Sequence, residues 1–536
     1  MRGPEAREAP MSRKTVVWIA CALVTLVLGC STTSQRTVSE AARDPGTAIH
    51  GKKGQRITGY VTTDGTHHEL EGYVRVVSPD TLEFSVPPLR ATYDRSMVKV
   101  PPFRVPLDSV QTVFVRHTRT AETILLTVGV LAGVALAVVA VALATKESCP
   151  FLYSWDGDQY VFDGEPYGGA TMRSLERTDW SELEHLVPAG GEYRMLIANE
   201  VDETQHTNRI SLLAVDHEPG TTVVMDYEGR PHAFRRLVPL AAAGDATGAD
   251  LLPWLQERDL VAWYPDLKSL ASSDSLADTR SHITLEFPRP AGVSRAWLLA
   301  DVATGQWGSH RIRSMLGMRG SRVDEFYAAI NSDPRAREAL HAWNEREELF
   351  VLHPELEREG RWERVGTLLG GGPFLSEWRA IPIDLSGVQG DTLRLRLHPP
   401  IGFWSLNSFH LAWEESEARV RELEPVRARG DGGVDVLGTL LEQDDRYLDF
   451  PRTGDRAEVI FPAPEPAPGL DRTVFARTAG WYEIHLYSRG APPDSAGLER
   501  LTREPGYAVR SALREYAEFR RSGVLAGTRG AAEGAR

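Results

Sequence analysis

Two kinds of apolar pattern run along this chain: long uncharged blocks at 16–28 and 124–144, and many short alternating runs elsewhere. Alternation is clearest in Leu70-Glu71-Gly72-Tyr73-Val74-Arg75-Val76, where every second side chain points to one face of a strand. Strands are predicted at 56–62, 68–77, 81–86, 98–105 and 109–115, with turns at Asp64-Gly65 and Ser78-Pro79-Asp80. Five short strands in that length predict a small SH3-like barrel over 55–118. Pro87-Pro88 and Pro101-Pro102 belong at its edges, because proline donates nothing to a ladder.

Beyond residue 149 the runs are short and aromatic. Residues 151–162 read as two strands joined at Asp156-Gly157, a strong hairpin signal. Further strands are expected at 193–198, 210–215, 283–287, 296–301, 349–352, 362–368, 378–383, 392–397, 408–413, 457–461, 473–476 and 482–487. The fold class is therefore mainly β, with β-sandwich-type domains over 149–300 and 301–490. A helical insert at 321–348 interrupts the second, its two helices at 322–330 and 334–348. Asp333-Pro334 opens the second of these, with proline in the first turn. Residues 505–536 are expected as a C-terminal helix and a Gly/Ala-rich disordered tail.

The uncharged blocks carry the address. Residues 124–144 hold no charge over 21 positions. As a helix they would be about 31 Å long, enough to cross a bilayer core, and a transmembrane-like helix is expected within 121–146. Gly129, Gly133 and Ala137 fall four apart, a spacing that lets helices approach closely. This suits a homo-oligomer contact as well as it suits the ordinary composition of membrane helices. The 16–28 block is too short to span. With Arg13 and Lys14 before it and Val27-Leu28-Gly29-Cys30 closing it, it resembles a bacterial lipoprotein signal with its lipobox. That resemblance implies a signal peptide at 1–29, lipidation of Cys30 and a disordered tether over 30–54. Glu5 and Glu8 suit a signal poorly, so translation is expected to start at Met11. Ser31, where an aspartate would retain the protein at the inner membrane, points to the outer membrane.

The two blocks conflict. A single crossing at 124–144 would return everything after Lys146 to the cytoplasm, and Arg116 and Arg119 against Lys146 favour the barrel inside. Three readings stand: one crossing, a helix lying in or re-entering one leaflet, or a false lipobox. An extracytoplasmic C-terminal region is preferred, since a lipobox is harder to produce by chance than a bias of two charges.

Composition narrows the partners. The chain has 536 residues, 42% hydrophobic and 25% charged, with a net charge of −14. An acidic balance of 74 to 60 argues against nucleic acid, whose phosphates need a cationic surface. Of three cysteines, Cys21 lies in the signal and Cys30 would be acylated. Cys149 is left alone, so no intrachain disulfide forms in the mature chain. Nothing near Cys149 lowers its pKa, and it reads as a buried structural thiol.

Cys149-Pro150-Phe151, Trp155-Asp156-Gly157, Tyr160-Val161-Phe162-Asp163, Asn199-Glu200, Glu203-Thr204-Gln205, Thr207-Asn208 and Val215-Asp216-His217 resemble an uncharacterised module of bacterial envelope proteins over 149–266. Ile381-Pro382-Ile383-Asp384-Leu385, Gly402-Phe403-Trp404 and Gly480-Trp481-Tyr482 resemble the C-terminal parts of the same proteins. The resemblance implies no assigned activity.

Candidate chemistry is thin. Asp156, Asp158, Asp163 and Glu165 offer hard oxygen ligands for calcium, although hairpin tips attract aspartate for turn geometry alone. Glu203, His206, Asp216 and His217 offer imidazole and carboxylate ligands, but no His-x-x-x-His pair supports them. Gly370-Gly371-Gly372 lacks the Lys-Ser or Lys-Thr of a phosphate loop. Neither a Gly-x-Ser-x-Gly elbow nor a His-Glu-x-x-His helix occurs. Trp404 and Trp413 are candidates for stacking on sugars, against filling a core. The sequence thus predicts a membrane-anchored, non-catalytic binding or scaffolding lipoprotein of the cell envelope, without cofactor, facing a protein or glycan partner. The alternative is an envelope hydrolase or glycan-binding protein with its site in 149–266.

Overall fold

The computed structural model describes residues 31–37, 55–63, 67–78, 81–85, 103–118, 150–258, 262–263, 280–373 and 375–522. The signal peptide expected at 1–29, Cys30, residues 121–146 with Gly129, Gly133 and Ala137, Cys149 and the tail expected after 522 lie outside the described residues. Among the described residues no helix is long and apolar enough to cross a membrane.

The N-terminal strands form one antiparallel sheet. Its order is Ser31–Thr37, Val110–Thr118, Gln55–Thr62, His67–Ser78, Thr81–Ser85 and Phe103–Pro106. Ile57, Val74, Leu82, Phe84, Val110 and Val113 fill its core, as the alternation requires. Ser31–Thr37 corrects the disordered tether expected over 30–54: it is an edge strand, pairing Ser31 with Thr118 and Thr37 with Thr112. Its residues are all polar, so no apolar period marks it, and its three threonines suit a pleated edge.

Two sandwiches follow, and the chain interleaves them. The first stacks the sheet Arg427–Gly430, Arg456–Pro462, Glu192–Ala198, Phe151–Trp155, Tyr160–Gly164 on the sheet Ala418–Leu423, Glu203–His217, Asp471–Ile484, Arg177–Glu182. Leu152, Met195, Ile197, Ile210, Leu212, Val459, Phe461 and Ala476 meet between them. The chain leaves this sandwich after His217, builds the second, and returns at Ala418. In the second sandwich, Arg295–Thr304 lies between Trp404–Ala412 and Glu377–Asp384, and the facing sheet is built round Ile283–Pro288 and Thr392–Leu397. Leu285, Phe287, Leu298, Leu395, Phe409 and Leu411 are among its fully buried side chains. The domain boundary expected at 300/301 falls inside the strand Arg295–Thr304 and is corrected accordingly. A linear reading of strands cannot see that residues on both sides of an insertion share one core.

The helical pair is found at Val323–Ser332 and Pro334–Glu347. Asp333 caps the second helix by accepting from the Arg335 N–H at 2.9 Å. Gln306–Gly317 precedes the pair, and Tyr507–Ser522 supplies Ala508, Val509, Ala512 and Leu513 to the second sandwich's core.

Candidate functional site

The two sandwiches meet along a buried polar seam. The edge strand Arg177–Glu182 of the first faces Glu377–Asp384 of the second. Alternation along the latter turns Glu377 and Arg379 to the same side. Arg379 donates from Nη2 to Asp179 Oδ1 at 2.8 Å and to the Trp180 carbonyl at 2.9 Å, and it also contacts Glu377 Oε2. Asp179 Oδ2 accepts from Arg177 Nη2 at 3.0 Å and from the Tyr167 N–H at 3.1 Å. Ser181 Oγ donates to Glu377 Oε1 at 2.7 Å.

A second knot is centred on Arg258. Its guanidinium meets Glu182 at 3.1 Å, Glu184 at 2.8 Å and Asp301 at 3.1 Å, and lies 4.9 Å from the ring centroid of Trp378. Asn407 Nδ2 donates to Asp301 Oδ2 at 3.1 Å. Trp378 Nε1 donates to Ser408 Oγ at 3.1 Å.

Burial sets the electrostatics. It would push the Asp179 carboxyl up, but Arg177 and Arg379 outweigh it and hold Asp179 below the usual carboxylate range. Burial wins at Glu377, over the charge of Arg379 and assisted by the nearby charge of Asp179, so that carboxyl is raised. Asp301 is raised in the same way, against the pull of Arg258. His410 is pushed down to about 4 by burial and by Arg258, leaving it neutral.

A narrow cavity of about 340 Å³, counting solvent at its mouth, opens in the seam. Asp163, Glu182, Arg258, Ser376, Glu377 and Arg379 line its polar wall. Asp163 turns away to His185, accepting from its backbone N–H and contacting its Nδ1, both at 2.9 Å. Converging carboxylates are thus present, but Asp179, Glu182, Glu184, Asp301 and Glu377 each face an arginine. Such an arrangement ties the two sandwiches together through buried ion pairs.

The residues singled out from sequence are dispersed. Asp156 Oδ1 accepts from the N–H groups of Asp158 and Gln159 at 2.9 and 2.8 Å, which shapes the hairpin tip. Asp163 belongs to His185, and Glu165 is buried, accepting from the Leu375 N–H at 3.1 Å. His206 and His217 sit 11 positions apart on one strand, about 36 Å of extended chain. His206 contacts Asp449, His217 contacts Thr221 and Thr473, Asp216 holds Arg472, and Glu203 accepts from Gln205. No group of three metal-ligating side chains occurs among the described residues. Trp404 is 1% exposed and so offers no free face to a sugar, while Trp413 packs partly buried against the same core. The seam itself went unseen in the sequence. Its one signal was a charge inside an apolar run, Asp301 between Ala300 and Val302 and Arg379 between Trp378 and Ala380.

The sequence matches no protein-family model and no curated protein. Among solved structures it is similar to a β-porphyranase of glycoside hydrolase family 86 from the human gut bacterium Bacteroides plebeius. Identity is 10% and the TM-score 0.16, over 45% of this chain and 37% of that one. A superposition that poor carries no argument about activity.

Proposed function

We propose that this chain is a non-catalytic binding or scaffolding lipoprotein of a bacterial cell envelope. It is held at the membrane by acyl chains on Cys30 and by the uncharged run 124–144, with the outer membrane its preferred site. The N-terminal sheet is read as an SH3-like barrel, which begins one residue after Cys30 and so stands against the bilayer. Residues 149–266 belong, on this reading, with the envelope module they resemble. The supporting observation is the seam, where Arg258 and Arg379 pair with Asp179, Glu182, Glu184, Asp301 and Glu377 across the two sandwiches. The interleaved sandwiches then form one stiff body that presents outer surfaces to a protein or glycan partner.

The rival, a hydrolase working at Glu377 in the seam cavity, predicts turnover. Purified chain is tested against peptidoglycan and against neutral and acidic polysaccharides, read as retention and as released reducing ends. Retention without release, or neither, agrees with the proposal. Release that Glu377→Gln abolishes overturns it. Fractionation of cells carrying Cys30→Ser tests the address separately: a variant that is still acylated and processed normally removes the lipid anchor.

A further inference from the structure

The hairpin of Phe151–Trp155 and Tyr160–Gly164 has a use that the seam does not explain. Leu152 and Ser154 point inward, so Phe151, Tyr153 and Trp155 turn to the other face, where Phe151 is buried and Tyr153 and Trp155 are partly exposed, with Phe162 opposite Tyr153 and Tyr160 opposite Trp155. The rings interlock. Centroid separations are 5.0 Å for Phe151–Phe162, 5.7 Å for Tyr153–Phe162 and 5.2 Å for Trp155–Tyr160. Tyr153 and Tyr160 direct their hydroxyls to Glu200 and Glu458, so each ring has an apolar body and a polar tip.

The rest of that face mixes charged side chains with the apolar Leu196, Ala198 and Ile460. By the pairing register Arg194, Arg456, Arg427 and Arg429 share it with Glu192 and Glu458. Arg427 is held by Glu192 at 2.7 Å, while exposed Arg429 makes no ion pair among the described residues. With Glu200 at its rim and Asp431 3.9 Å from Arg456, four arginines stand against four carboxylates, and exposed Arg429 is the arginine left over for an outside anion.

We infer that this face is the membrane-contacting surface of the folded body. Tyr153, Trp155 and Phe162 rest at interfacial depth, and Arg194, Arg427 and Arg429 meet anionic headgroups. The inference rests on the membrane location argued above. Two observations favour a bilayer over other occupants. The uncharged run ends at residue 144, seven residues before Phe151, so at most about 25 Å of chain separates them. Whichever way that run inserts, this hairpin stays next to the bilayer. The rings are also tilted at 36°, 51° and 70° to one another, which offers no flat platform for a sugar ring. Tyrosine and tryptophan with a polar rim are the side chains that the headgroup region favours, and nearby arginines add attraction to anionic lipid.

The test uses the full chain reconstituted in nanodiscs of phosphatidylglycerol or of phosphatidylcholine. Amide exchange is followed in Phe151–Trp155, Tyr160–Gly164 and, as an internal reference, Asp471–Ile484. Tryptophan quenching by brominated lipid is read as the difference between wild type and Trp155→Phe. Exchange at the hairpin slowed about tenfold in phosphatidylglycerol, with the reference strand unchanged and Trp155 quenched, supports the inference. Replacing both exposed arginines, Arg427→Glu with Arg429→Glu, should abolish that tenfold protection, since about fivefold per arginine multiplies to about 25-fold for the two. Unchanged exchange and no quenching at Trp155 overturn the inference, as does equal protection by a soluble acidic polysaccharide. None of these readouts requires Cys30 to be acylated, so the contact face and the lipid anchor fail independently.

Discussion

Arg379 and Asp179 stand 200 residues apart along the chain, yet Nη2 of one lies 2.8 Å from Oδ1 of the other. Both are buried, and between them they tie the second sandwich to the first. Removing the arginine strands Glu377 in a poor solvent for charge and leaves Asp179 with Arg177 as its remaining cation. Arg379→Met is expected to cost about 3–5 kcal/mol, measured by urea unfolding. Arg379→Lys should fall in between, because an ammonium keeps the charge but not the fork that reaches both acids. A loss under 1 kcal/mol for the Met variant would show that the seam contributes little.

Glu515 presents the opposite end of the fold to acid. It contacts Arg311, His310 at 2.9 Å and Ser314 at 3.1 Å, docking Tyr507–Ser522 on Gln306–Gly317. Burial works against its charge, but the hydrogen bond from His310 and the charge of Arg311 hold the carboxyl below its ordinary 4.5. A depressed folded pKa contributes stability that is present above 4.5 and is lost as pH falls through the folded value. Exchange protection of Tyr507–Ser522 should therefore drop on acidification below about pH 4.5, and Glu515→Gln should flatten that dependence.

Glu377 should respond in the other direction. Burial raises its folded pKa, so its contribution is complete below 4.5 and is lost as pH rises through the folded value. Glu377→Gln, neutral throughout, should gain stability relative to wild type as pH climbs from 4.5 toward 8. Paired unfolding curves at several pH values decide this. A relative stability that falls with pH contradicts the assignment.

Gly480 is fixed by space. A Cβ there would lie 2.5 Å from the His206 carbonyl oxygen and 2.8 Å from Cζ of Tyr167, whose ring is fully buried. The ladder between Glu203–His217 and Asp471–Ile484 shifts register beside it, between Thr207 and Arg209. Gly480→Ala is expected to destabilise by about 1–3 kcal/mol through overpacking. Thermal unfolding of the purified variant gives the comparison.

Local signals were legible and long-range ones were not. The hairpin at Asp156-Gly157, the capped helix at Asp333-Pro334 and the alternating core of Ile57, Val74 and Phe84 all follow from neighbours along the chain. The strand Ser31–Thr37 escaped notice because an all-polar edge has no apolar period. The seam escaped because nothing close in sequence links Asp179 to Arg379, or Glu182 and Asp301 to Arg258. Trp404 stayed open between sugar stacking and core filling for a related reason. Apolar partners on distant strands bury it, and a tryptophan alone does not disclose which way it faces.

The insertion of one sandwich within the other also sets an order of assembly. Glu203–His217 finds its long partner only in Asp471–Ile484, which is translated some 250 residues later. At typical elongation rates the earlier strand waits on the order of 10–50 s for its mate. Throughout that delay Ile210, Leu212 and Ala214 lack the part of their cover that Val459, Phe461 and Ala476 supply, while the inserted sandwich can already close on itself. The nascent chain therefore carries a half-built, sticky sheet edge for nearly half of its synthesis, and a chaperone that shields it would have its greatest effect before residue 471 emerges.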